Sequence, residues 1–350
     1  MKYNESILDL IGRTPLIKLN QIGKDIKSQI FAKLESFNPG GSIKDRVAVS
    51  MIEKAEAVGE IKPGGTIIEA TSGNTGIGLA IATAIKGYKS IFVLTTRAST
   101  EKISYLKALG AQVVIVPDSV KREDESHYLN VANRLAREIP NALFINQYCN
   151  PSNPEVHYKT TGPEIWEQTE GKITHFVASI GTGGTISGVG KYLKEKNPKI
   201  EIIGAEPNGS IFKEYLNRGL IGPAAPYLVE GIGQTYLPEN VHFEYIDKII
   251  SVSDYNSFNS ARQLSRKEGI FCGGSTGTNL FAALETAESF DGIGIIVFIV
   301  CDTGERYLSK FYNDDWFSRQ YISDITDSPT KDYLHLTESD LAITETKGKE

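Results

Sequence analysis

Gln29-Ile30-Phe31-Ala32-Lys33-Leu34, then Asn38-Pro39-Gly40-Gly41-Ser42-Ile43-Lys44-Asp45-Arg46, is the stretch that decides the fold. Its first part is a mostly apolar run of strand length. Its second part is a turn rich in Gly and Pro that opens a helix. Apolar residues recur there at Ile43, Val47, Met51, Ile52 and Ala55, the rhythm of a helix with one buried face. Ser42 is the expected N-cap, which puts Lys44 in the first turn. The N–H groups of that turn carry partial positive charge, and Arg46 adds to it. Both favour the neutral amine and pull Lys44 below the ordinary lysine pKa of about 10.4. A neutral, partly desolvated amine is the group that attacks an aldehyde. Taken alone, a lysine at a helix start is more often a solvated surface residue.

The strand-then-helix unit repeats outward from this stretch. Strands are expected at 66–69, 90–94, 113–116, 143–145, 176–178, 200–204 and 295–300, with helices at 77–85, 101–109, 187–194 and 279–288. Strands separated by crossover helices form a parallel, doubly wound α/β sheet, and ligands bind at the carboxyl ends of its strands. A length of 350 residues suits two domains of ordinary size. After Trp316 the pattern fades into Asp, Ser, Thr and Lys, which reads as a mobile tail. Trp316, with Phe311 and Phe317, reads as packing or a dimer contact.

Composition excludes several classes. The chain is 40% hydrophobic and 23% charged, with a net charge of −6, which argues for a well-packed globular protein and against a nucleic-acid binder. Three cysteines, Cys149, Cys272 and Cys301, show neither a paired framework nor zinc spacing, so a reducing compartment is expected. The amino terminus lacks the apolar core of a signal peptide, and the longest apolar stretch, 293–301, is too short to span a bilayer. A cytoplasmic protein is expected. His127, His157, His175, His242 and His335 are scattered and read as structural or exposed.

Three glycine-rich turns carry the remaining chemistry. Thr71-Ser72-Gly73-Asn74-Thr75-Gly76 offers hydroxyls, a carboxamide and backbone N–H groups at a helix start, the makings of a carboxylate receptor. Gly181-Thr182-Gly183-Gly184-Thr185 reads as a concave nest of N–H groups for a phosphate. It is neither a dinucleotide fingerprint, since Ile186 stands where the third glycine would fall, nor a P-loop. Cys272-Gly273-Gly274-Ser275-Thr276-Gly277 opens a further helix, with Ser275 the expected N-cap and Cys272 a packed apolar residue.

These four motifs in this order (NPGGSIKDR, TSGNTGIGLA, GTGGT, GGSTG) resemble the fold-type II pyridoxal-phosphate enzymes of the cysteine synthase and cystathionine β-synthase group. The resemblance covers about residues 6–318. It implies a two-domain, tryptophan synthase β-like α/β fold with parallel-type sheets flanked by helices. A smaller mobile domain would comprise 1–12 and 35–147, a larger cofactor-binding domain 13–34 and 148–318, and a flexible tail 319–350. Lys44 would hold pyridoxal 5'-phosphate as an internal aldimine and move the Cα proton. Asn74 would meet the ring hydroxyl, Gly181, Thr182, Gly183, Gly184 and Thr185 the phosphate, and Ser275 the pyridine nitrogen. Thr71, Ser72, Gly73, Thr75 and Gln147 would grip the substrate carboxylate. No metal is implied.

The implied reaction is β-replacement on serine or an activated serine through an aminoacrylate. Val229-Glu230-Gly231-Ile232-Gly233, 267–274 and 302–307 look more like cystathionine β-synthases, which condense serine with homocysteine. O-acetylserine sulfhydrylases usually carry Gln before GIG, and Glu230 is the position expected to bear on acceptor choice. A cysteine synthase using sulfide, or an O-phosphoserine and amine enzyme of diaminopropionate type, are the alternatives. A homodimer without membrane or nucleic-acid partners is expected. The haem-binding extension and regulatory domain pair of animal relatives are not expected. Residues 95–101 depart from the Pro-Glu-x-Met-Ser pattern usual in relatives, so cleft closure or acceptor specificity is expected to differ. Outside this group, a dehydrogenase is disfavoured by the glycine spacing, and a retired binding scaffold by the intact Lys44, Asn74 and Ser275.

Overall fold

Strand β1 (Leu16–Lys18) pairs antiparallel with β2 (Gln29–Leu34), and among the described residues every other strand pairing in the two sheets is parallel. The computed structural model describes residues 1, 3–71, 73–96, 98–118 and 120–327, without the side chains of 322–327. The remaining strands are β3 (Thr66–Ala70), β4 (Lys89–Thr95), β5 (Gln112–Val116), β6 (Ala142–Phe144), β7 (His175–Ser179), β8 (Glu201–Pro207), β9 (Lys248–Val252) and β10 (Ile295–Val300). The larger sheet runs β1-β2-β10-β7-β8-β9 and the smaller β5-β4-β3-β6. In register, Val300 lies opposite Leu34 and Ala70 opposite Val93.

Helices α1 (Lys44–Ala57), α2 (Asn74–Lys86), α3 (Thr100–Ala108) and α4 (Tyr128–Glu138) are interleaved with the strands of the smaller sheet. Helices α5 (Ser152–Val156), α6 (Gly162–Gln168), α7 (Gly184–Lys196), α8 (Phe212–Arg218), α9 (Asp254–Glu268), α10 (Gly274–Ser289) and α11 (Asp314–Asp327) follow. The α/β fold with helix-flanked, mainly parallel sheets is the one the sequence implied.

The central strands are continuous apolar runs because both of their faces are covered. Along β10, Ile296, Phe298 and Val300 enter one core while Val297 and Ile299 enter the other. Alternation of side chains across the sheet divides a single apolar run between two layers.

Sequence expectations shift at several helix starts. Ser42 is not the N-cap of α1: Ile43 holds that position, and Ser42 Oγ accepts from Lys44 N at 3.2 Å. Ser275 is not the N-cap of α10, since Gly273 is, and Ser275 lies in the first turn. Helices α2, α7 and α10 begin at Asn74, Gly184 and Gly274, three, three and five residues before the expected 77, 187 and 279. Glycine disfavours helix by about 1 kcal/mol, so propensity pushed the sequence boundaries inward. The closely packed surroundings win, and the motif residues become first-turn residues with N–H groups unpaired within the helix. At the other end, the tail expected from 319 begins as helix α11, which continues to Asp327 with Trp316 edge-on to Phe258; the rest of that expectation lies outside the described residues.

Candidate active site

The carboxyl ends of β2, β3, β7 and β10 lead into the Lys44 loop, the Thr71 turn, the glycine turn at 181–185 and the segment after Val300. They converge on one cavity of about 560 Å³ lined by Lys44, Thr71, Asn74, Thr75, Gln147 and Ser275, together with Gly181, Thr182, Gly183 and Thr185. Gly73 and Gly184 belong to the same turns without lining it, and Ser72 lies outside the described residues.

Lys44 opens the first turn of α1 and borders the cavity. Burial lowers its pKa, while the negative charge of Asp302 works in the opposite direction. The direction is the expected one, but the cause differs. Arg46 does not supply the effect, because its charge is already balanced: Nε donates to Glu35 Oε2 at 2.7 Å and Nη1 to Glu164 Oε1 at 2.6 Å.

Next to it, Asp45 Oδ2 accepts from Gly40 N at 2.5 Å, and burial pushes this carboxyl up to about 7. Arg306 clamps the same loop by donating to Gly40 O, and its Nη1 donates to Asn74 Oδ1 at 2.6 Å. Asn74 Nδ2 in turn donates to Asp302 Oδ2 at 2.7 Å, which also accepts from Tyr307 at 2.6 Å. The Asn74 carboxamide is thus engaged at both ends, and any ligand bond from it displaces one of these partners or shares it. Asp302, Arg306 and Tyr307 were missed as site residues. They are far from Asn74 in the chain, and no local signal announces the contact.

At the Thr71 turn, Gly73 adopts φ +131°, where a Cβ would also press on the Lys102 side chain. Thr71 Oγ1 accepts from Gly73 N at 3.0 Å, and Thr75 Oγ1 donates to Gln147 Oε1 at 2.6 Å. Gln147 N donates to Glu69 Oε2 at 3.2 Å. The Gln147 carbonyl accepts from Asn153 Nδ2 at 2.8 Å, and that amide also reaches Thr182 Oγ1 at 3.0 Å. One asparagine therefore ties the hydroxyl-rich turn to the glycine turn.

Glu69 is fully buried, and burial pushes its carboxyl up to about 8. A raised carboxyl holds its proton in the folded chain while the unfolded chain has released it, so stability falls as pH rises from the ordinary value of about 4.3 toward 8. Glu69→Gln keeps an acceptor for Gln147 N and removes the titration. Urea denaturation at pH 5, 7 and 9 is expected to show the variant gaining on the wild type with each step. A constant difference across the series contradicts a protonated Glu69.

The glycine turn fits an anion. At Gly181 a Cβ would sit 2.5 Å from Gly231 O, and at Gly183, with φ +90°, 2.5 Å from Val241 Cγ2. The backbone can thus be bare where the first-turn N–H groups of α7 open, the arrangement that cradles phosphate. Thr185 Oγ1 lies 3.3 Å from His157 Nε2, whose Nδ1 meets Thr161 Oγ1 at 2.9 Å. Burial, with the Arg46 and Lys44 charges, holds this imidazole neutral. Across the cavity Ser275 stands near Cys301, whose thiol accepts from Asn279 Nδ2 at 3.3 Å and is pushed up by burial. Among the described residues no cluster of His, Cys, Asp or Glu is arranged to hold a metal. An amine, an anion cradle and a neutral hydroxyl around one cavity fit a phosphorylated aldehyde. The model of the pyridoxal-phosphate dependent enzymes matches residues 7–302.

The chain belongs to that family. Its cofactor is pyridoxal 5'-phosphate. It is 48% identical over 317 residues to a cystathionine beta-synthase of Apis mellifera, covering 90% of this chain and 62% of that relative. It is 42% identical over 305 residues to cysteine synthase B of Pseudomonas aeruginosa, covering 87% and 96% respectively. The solved O-acetylserine dependent cystathionine beta-synthase of Helicobacter pylori superposes with a TM-score of 0.81 at 39% identity, covering 89% of this chain and 99% of that one. The chain spans 56% to 65% of the length of the cystathionine beta-synthases it matches. Among the described residues no helix is long and apolar enough to cross a membrane.

Proposed function

We propose that this enzyme catalyses β-replacement on serine or an activated serine with homocysteine as acceptor, the reaction of a cystathionine β-synthase. The observation that carries the reading is Lys44, a lysine with a lowered pKa at the border of a cavity that also presents an anion cradle and a carboxylate receptor. Identity to cystathionine beta-synthases at 48% supports the choice of acceptor. So does Glu230, which lines the cavity and is held by Lys102 at 2.8 Å and Lys310 at 2.5 Å.

Lys44 would carry the cofactor, Gly181, Thr182, Gly183, Gly184 and Thr185 its phosphate, Asn74 its ring hydroxyl and Ser275 its ring nitrogen. When bound, the cofactor supplies an electron sink for breaking bonds at the substrate's α and β carbons. Thr71, Ser72, Gly73, Thr75 and Gln147 would hold the substrate carboxylate. The Lys44 amine, deprotonated at lower pH than an exposed lysine, takes the proton from Cα and later returns it. A serine hydroxyl, rather than a carboxylate, at the ring nitrogen favours elimination over transamination, because it leaves the ring without a formal charge.

Cysteine synthase activity is the second reading, favoured by a match spanning 96% of cysteine synthase B. A product assay decides between them. Serine, O-acetylserine and O-phosphoserine are offered against sulfide, homocysteine and amino-acid amines. Cystathionine formation with the highest kcat/KM is expected; a higher value for cysteine from O-acetylserine and sulfide overturns the choice of acceptor. The domain division and the homodimer remain part of this proposal.

A further inference from the structure

The wall of the cavity to which Asp118, residues 120–122, His127, Tyr128, Tyr227 and residues 229–236 contribute carries charge that the amine and the glycine turn do not use. Lys121 and Arg122 line it, together with Asp118, His127, Tyr128 and Tyr236. The loop that bears them is pinned at several points. Asp124 N donates to Lys121 O at 3.1 Å, and Asn130 Nδ2 donates to Arg122 O at 2.8 Å and Asp124 O at 2.7 Å. Asp124 Oδ1 accepts from Ser126 N at 2.8 Å.

Arg122 is held by a ring rather than by an acid. Its guanidinium carbon lies over the Tyr236 ring, 4.1 Å from the centroid, within cation–π distance. Tyr236 packs edge-on to Tyr148 at 5.9 Å, and burial keeps both phenols neutral. Among the described residues neither Lys121 nor Arg122 makes an ion pair, whereas Glu230 on the same wall is bound by two lysines. Asp118 accepts from Thr96 Oγ1 at 3.1 Å and is the other carboxylate of the lining.

A planar, fixed guanidinium facing a cavity is matched by a carboxylate, which it binds in two parallel hydrogen bonds. The donor substrate's carboxylate has its own receptor at Thr71, Thr75 and Gln147, so a second receptor implies a second carboxylate. Sulfide has none. We propose that Arg122, with Lys121 beside it, receives the carboxylate of the acceptor nucleophile, and that the acceptor is an α-amino acid carrying the attacking thiol. Asp118 then offers the opposite charge to that acceptor's ammonium. This assignment rests on the β-replacement reading and names the group that selects its second substrate.

The test uses the holoenzyme with saturating donor and three acceptors: homocysteine, its decarboxylated analogue 3-aminopropanethiol, and sulfide. Arg122→Ala is expected to raise KM for homocysteine about ten- to a hundredfold, the loss of a charge-assisted hydrogen bond. The kcat/KM ratio of homocysteine to the decarboxylated analogue falls by the same factor, and Arg122→Lys recovers part of it. Arg122 is exposed, so the substitution leaves the core intact. Tyr236→Leu, which removes the stacking ring, is expected to move the ratio in the same direction. If wild type uses homocysteine and the ratio does not change in Arg122→Ala, the assignment is overturned and the β-replacement reading stands. If wild type turns over sulfide and no amino-acid thiol, both the assignment and the choice of homocysteine fall.

Discussion

Lys44→Ala is expected to lower turnover by at least about 10⁴-fold, since the residue serves both as covalent anchor and as proton carrier. The absorption of the bound cofactor should change with it, and borohydride reduction followed by peptide mapping should label Lys44 in the wild type. A label on another residue, or a variant that keeps turnover within tenfold, removes the basis of the proposed function. A second readout needs no cofactor. The folded pKa of Lys44 lies below the ordinary value of 10.5 because burial opposes the charged form. Between those two values the unfolded chain binds more protons, so the cofactor-free wild type gains stability as pH rises through that window. The alanine variant lacks this slope.

The second large effect lies in the ion-pair group behind Lys44. Arg46 binds Glu35 through Nε at 2.7 Å and Nη2 at 2.9 Å, and Glu164 through Nη1 at 2.6 Å and Nη2 at 2.7 Å. Lys33 adds a bond to Glu164 at 2.6 Å and one to Thr14 O at 2.7 Å. Glu35 and Lys33 are fully buried, and Arg46 is 3% exposed. Two cations balance two anions, so removing one member strands a charge away from water. Arg46→Met is expected to destabilise by about 3–5 kcal/mol, a large share of the total for an ordinary domain. Adding Glu35→Gln should restore part of that loss by removing the stranded carboxylate. Urea denaturation of the two variants measures both steps, and a loss under about 1 kcal/mol for Arg46→Met contradicts a tightly coupled group.

The pH dependence of that group has a definite sign. Arg46 and Lys33 hold Glu164 down to about 2, against the burial that would raise it, and Glu35 is lowered by the same cations. Depressed carboxylates stabilise the fold above the ordinary value of about 4.5, and that contribution is lost as pH falls from there toward 2. The group joins the end of β2 to α1 and α6, and Arg46 lies two residues beyond Lys44.

Much of this was legible before any coordinates, and unevenly so. Strand β10 was read to the residue because six consecutive apolar residues, Ile295–Val300, suit a strand buried on both faces. Helix α4 and the pair β9 and α9 were not read, although all three are regular. The buried face of α9 includes Ser257, Asn259, Ser260, Arg262 and Gln263, and polar residues there hide the apolar stripe that periodicity requires. Glycine-rich helix starts were set too late at α2 and α7, because helix propensity is a local quantity and these starts are imposed by packing.

The order of the four motifs alone determined the family and the cofactor, since each records chemistry that residues close in sequence supply. What tertiary structure decided lies between distant segments: Arg306 and Asp302 bracketing Asn74, Asn153 joining Gln147 to Thr182, and Arg122 laid against Tyr236. The cause of the Lys44 shift belongs there too. Desolvation is a property of everything packed around an atom, and nine residues around position 44 carry no record of that.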